Sequence, residues 1–135
     1  MRININLPGV TMNTVPFTMD IFAGFGHCEG ILKDTGTGLI VIEYRNVDKF
    51  GGFLKSDVRQ IDVPLKDLNS VTITKGWLGN TWLGVKIVFQ AKDLLTLQDC
   101  PGMSKGRVEF GVDRKHVADA ERFVDDLHEA PPGVA

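Results

Sequence analysis

Long apolar runs are missing from this 135-residue chain: no stretch of about 18 apolar residues occurs, so no membrane-spanning helix is expected. Met1–Pro8 also lacks the apolar core of a secretory signal peptide, and a cytoplasmic location is the simplest expectation. Cysteine is scarce. Cys28 and Cys100 stand far apart, form no metal or redox motif, and read as one buried thiol and one loop thiol. No H-E-x-x-H, G-x-S-x-G or phosphate-loop motif is present, and Gly24-x-Gly26 lacks the third glycine of a dinucleotide fingerprint. Catalytic residues, metal ligands and cofactor-binding residues are therefore all expected to be none, and the chain is not expected to be an enzyme.

A concentrated positive charge is equally lacking. Fifteen Lys and Arg against seventeen Asp and Glu leave a formal charge of −2. The bases are scattered and often sit beside an acid, as in Lys33-Asp34, Asp48-Lys49 and Lys92-Asp93. Residues 1–112 carry 12 bases and 11 acids; residues 113–135 carry 3 and 6. Nucleic acid and anionic surfaces are read by clustered Lys and Arg. This distribution points away from both, unless folding gathers distant bases into one patch.

Glycine and alternating apolar residues are what the chain has in abundance. Its 15 glycines point to turns and strands rather than a helix bundle. Seven short strands are expected: one ending at Lys33 before the turn Asp34-Thr35-Gly36-Thr37-Gly38, then 39–45, 58–63, 71–74, 85–90, 94–97 and 107–112. In the last of these Val108, Phe110 and Val112 share one face. The period then changes. After Asp113, a good N-cap, Val117, Ala120, Phe123, Val124 and Leu127 recur at helical spacing and form a core-facing stripe, until Pro131-Pro132-Gly133 ends it.

These elements divide the chain into an N-terminal arm (1–21), a domain (22–130) and a C-terminal tail (131–135). The fold class is mainly β: a seven-stranded barrel or sandwich closed by one amphipathic α-helix, with an extra strand-like arm. In the arm Ile3, Ile5 and Leu7 alternate with Arg2, Asn4 and Asn6, Pro8-Gly9 stops the pattern, and Pro16 interrupts the stretch that follows.

This order of strands and helix resembles the pleckstrin homology (PH)-like fold of bacterial proteins. The stretch that carries the resemblance is Ile61-Asp62-Val63-Pro64-Leu65-Lys66-Asp67-Leu68-Asn69-Ser70-Val71, with the Trp77 turn, the Val108–Val112 strand and the terminal helix following at similar intervals. The resemblance implies an interaction domain. In phosphoinositide-binding relatives a Lys ends the first strand and an Arg-x-Arg pair occupies the second. Lys33 matches the Lys, but Arg45 is preceded by Glu43 where a second Arg would stand, so no phosphoinositide binding is expected.

The function expected is a non-enzymatic interaction module working through protein–protein contacts or self-assembly, with a protein partner or a second copy giving a homo-oligomer. The alternative is a small apolar-ligand or membrane-surface domain using the barrel mouth. Candidate interaction residues are Ile3, Ile5 and Leu7 of the arm and Trp77, Leu78 and Trp82 around a glycine turn, since exposed aromatic residues anchor partners. His27 and Cys28 are adjacent on a strand, so they point to opposite faces and cannot chelate one metal. His116 and His128 read as capping or partly buried groups, and Asp119, Asp125 and Asp126 as a solvated helix face.

Overall fold

Alternation places Val15 and Phe17, Cys28 and Leu32, and Ile40, Ile42 and Tyr44 on one face of three successive strands, and every one of them is buried. The computed structural model describes residues 13–21, 26–48, 57–75 and 84–129. Its strands are β1 (Asn13–Ile21), β2 (Gly26–Asp34), β3 (Leu39–Asp48), β4 (Arg59–Pro64), β5 (Leu68–Lys75), β6 (Val85–Ala91) and β7 (Arg107–Val112). The one α-helix among the described residues, α1, runs Val117–Glu129. The strands form one antiparallel sheet in the order β4-β3-β2-β1-β7-β6-β5. Among the described residues β4 and β5 end that order without pairing each other, so the sheet is open and sandwich-like rather than a closed barrel.

The described residues form seven strands, the number expected, but their membership differs at two places. Residues 13–21, assigned to the arm and thought to be interrupted at Pro16, are a continuous strand in the middle of the sheet. β1 pairs with β2 along its whole length but meets β7 at one register position, Thr18↔Gly111. Beside Pro16 no ladder to β7 asks for an N–H, which is how a proline fits inside a non-edge strand.

The second difference is Leu94–Leu97, read as a strand and found as a series of bends and turns. Asp93 Oδ1 accepts from Leu95 N at 2.8 Å, from Thr96 N at 2.9 Å and from Thr96 Oγ1 at 3.0 Å. A side chain that satisfies local backbone donors in this way competes with a strand ladder and here wins.

The core is aromatic at its centre. Phe110 on β7 meets Phe17 on β1 and Phe89 on β6 edge to face, with ring centroids 4.9 Å apart in each pair. Each contact of this kind adds about 0.5–1.5 kcal/mol beyond the area it buries. The helix supplies the other layer. Asp113 Oδ1 accepts from Lys115 N at 3.1 Å, capping a single 3-10 turn (Arg114–His116) that runs into α1. Ala120, Phe123, Val124 and Leu127 are buried against β1, β5 and β6, as the stripe predicts, and Val117 packs partly buried beside them.

Candidate functional site

Groups that could carry chemistry are mostly held by the fold. His27 and Cys28 do face opposite sides of β2: Cys28 lies in the core, while His27 borders an outer cleft. Cys100 is in a loop as expected, yet it is buried too. Burial pushes both thiols up to about 12, and the nearness of Cys28 adds to the rise at Cys100. Both thiols are therefore protonated at neutral pH and poor nucleophiles. His116 Nδ1 lies 3.3 Å from Asp119 Oδ2 on the next turn, and His128 Nε2 lies 2.7 Å from the Val71 carbonyl oxygen of β5. Asp126 accepts from Asn13 Nδ2 at 2.6 Å, whereas Asp125 is exposed. Among the described residues, no group of three His, Cys, Asp or Glu side chains is placed to hold a metal ion.

The sequence-predicted interaction residues Ile3, Ile5, Leu7, Trp77, Leu78 and Trp82 lie outside the described residues. What the described part offers for contact is edge and outer face. Among the described residues β4 has a strand neighbour on one side only, and Arg59, Gln60 and Asp62 along it are exposed. At the opposite edge, β5, the Val71 carbonyl is engaged by His128 from the end of α1. An edge strand with free backbone groups accepts a further strand.

Near the β4 edge the outer face of β1–β3 carries a depression of about 370 Å³, bordered by Ile31, Val58 and Arg45. Gly30 creates it: a Cβ there would run into the Glu43 carbonyl oxygen, so β2 and β3 can approach this closely only at a glycine. Val58 is 66% exposed and Ile31 37%. The sequence signal for this apolar spot was an outward-facing Ile beside a strand glycine, which alternation alone did not single out.

On the same face the bases compared with the phosphoinositide pattern are engaged by acids. Lys33 Nζ donates to Glu43 Oε2 at 2.8 Å, and Arg45 Nε donates to Glu29 Oε1 at 3.0 Å. Both are cross-strand pairs between β2 and β3. Comparison of the chain with known proteins finds no matching family model, curated protein or solved structure.

Proposed function

We propose that this chain is a non-enzymatic, PH-like interaction module that works through protein–protein contacts, first of all with a second copy of itself. The observation that carries the reading is the open sheet. β4 ends it with exposed residues along its length and with the apolar Ile31–Val58 depression close by. An open edge beside an apolar spot suits strand addition, in which backbone hydrogen bonds supply affinity and side-chain pockets supply selectivity.

The alternating segment Ile3-Asn4-Ile5-Asn6-Leu7 has the pattern such an edge would take. The PH-like assignment is supported by seven antiparallel strands followed by one helix packed on them. The non-enzymatic part is supported by the protonated, buried thiols and by the two helix-borne histidines, each engaged with a neighbouring group.

Light scattering on the full chain and on a chain beginning at Val10, at matched concentration, tests the reading. We expect a dimer or larger species for the full chain and a monomer for the shortened one. Two monomers with the same melting temperature would remove self-assembly through the arm.

A further inference from the structure

Folding gathers bases that the sequence scatters. A cleft of about 880 Å³ opens on the outer face of β6, β7 and β1, and Lys86, Arg107 and Lys105 line it together with Glu109 and His27. Its floor is kept low at the seam of β1 and β7, where a Cβ on Gly111 would come within 2.8 Å of the Thr18 carbonyl oxygen. Glu109 is shared: Lys86 Nζ lies 3.3 Å from its Oε1, and Arg107 reaches its Oε2 at 3.1 Å. Among the described lining residues three fixed cations stand against one carboxylate, a local surplus of bases in a chain whose formal charge is −2.

The base at the rim is held in an unusual conformation. Ser104 and Arg107 exchange backbone hydrogen bonds of 2.9 and 3.0 Å around the two-residue turn Lys105-Gly106. Both turn residues have positive φ, 55° at Lys105 and 77° at Gly106. Asn, Asp or Gly suits the first position of such a turn; a long cationic side chain there is strained backbone with a charge at its tip. The turn is fixed to β6 by Ala91 N and Gln90 Nε2, which both donate to the Gly106 carbonyl.

Directly beside this turn stands an exposed apolar pair. Leu94 is 64% exposed and Leu95 69%, and a Cβ added at Gly106 would sit 3.7 Å from Leu94 Cδ2 and 3.4 Å from Gln90 Nε2. Gly106 therefore lies between Leu94 and Gln90, a residue of the cleft lining. Asp93 fastens the backbone of the leucine turn, and Lys92 precedes it, exposed. The exposed charges of this segment are Lys92, Lys105 and Arg107 against Asp93 and Asp99, so two large apolar side chains at a fixed turn stand beside a surplus of bases, which matches an interface that is apolar below and anionic at its surface.

We infer that this corner of the molecule docks on an anionic phospholipid surface: Leu94 and Leu95 enter the headgroup–acyl boundary, and Lys105, with the charge that Lys86 and Arg107 together carry in excess of their one shared acid, Glu109, attracts lipid phosphates. The surface is separate from the β4 edge and does not depend on the strand-addition reading. The lipid headgroup, rather than a soluble phosphate, is the source because the leucines adjoin the bases and gain only where there is an apolar phase to enter.

Sedimentation of the full chain with phosphatidylcholine vesicles, and with vesicles carrying about 30% phosphatidylserine, tests this at roughly 50 and 500 mM salt. We expect binding to the serine-containing vesicles that weakens at high salt. L94S/L95S should lower it by roughly tenfold or more. Lys105→Gly should weaken it several-fold; it removes a charge but relaxes the turn, so its melting temperature should hold or rise. Equal binding by L94S/L95S and the parent chain would overturn the inference, as would no sedimentation at low salt. Millimolar glycerol phosphate that binds the free chain and displaces it from vesicles would assign the cleft to a soluble anion instead.

Discussion

Asn13 Nδ2 donates to Asp126 Oδ2 at 2.6 Å, a half-buried bond that joins the first residue of β1 to α1 across 113 positions of sequence. Asp34 lies at the same corner, since it pairs with Asn13 in the β1–β2 ladder. It is nearly fully buried, and its carboxyl accepts from Gly36 N at 2.9 Å. Burial raises its pKa above the ordinary carboxylate range and the Asp126 charge adds to the rise, against a lowering by the Gly36 hydrogen bond.

Asp34 therefore works against stability while ionised. Its folded pKa is above the unfolded value, so the folded protein takes up a proton first as pH falls. The penalty is fully present above the raised pKa and disappears as pH drops through it toward the unfolded value. Asp34→Asn keeps an acceptor for Gly36 and removes the charge, so it should raise the melting temperature at pH 7. The advantage should shrink in buffers approaching the unfolded carboxylate pKa of about 3.9. A variant no more stable than the parent at pH 7 would show that the ionised carboxylate is not a burden.

Phe110 touches both Phe17 and Phe89 and is fully buried, so Phe110→Ala opens a cavity at the centre of the core. A loss of about 3–5 kcal/mol is expected in a denaturant melt, by the scale of large-to-small substitutions. A loss below about 1 kcal/mol would mean that the surrounding side chains collapse into the space.

Ending the chain at Asp113 removes Phe123, Val124 and Leu127 from β1, β5 and β6 and uncovers apolar surface. The shortened protein should aggregate or lose its cooperative thermal transition. A soluble product with a sharp melt would make the helix an appendage to a self-sufficient sheet.

Lys33 and Arg45 are held by Glu43 and Glu29, so the β2–β3 face presents no free fork to an inositol phosphate. Vesicles containing phosphatidylinositol bisphosphate should bind no more tightly than phosphatidylserine vesicles of equal surface charge. Saturable binding specific to the phosphoinositide, and lost on Lys33→Ala, would reverse this.

Period alone settled most of the secondary structure. The alternation in 39–45 and 107–112 and the stripe Val117–Leu127 are local properties, because side-chain direction repeats every two residues in a strand and every 3.6 in a helix. The same local reading missed β1, where Pro16 looks like a break until the neighbour is known. It also took Leu94–Leu97 for a strand, although Asp93 followed by Thr96 at the third position carries the signal for a side-chain-capped turn.

Sequence by itself determined that this chain builds a β-sheet with one amphipathic helix over it, since the pattern of apolar residues specifies which faces must leave water. Tertiary structure decided the rest. Strand order, the open β4 edge, the meeting of Lys86, Lys105 and Arg107 around one cleft and the placing of Leu94 beside it all join residues far apart in the chain or on separate elements. Such neighbours are fixed by how the sheet curls and which strands pair, and neither charge nor hydrophobic period along the chain records that pairing.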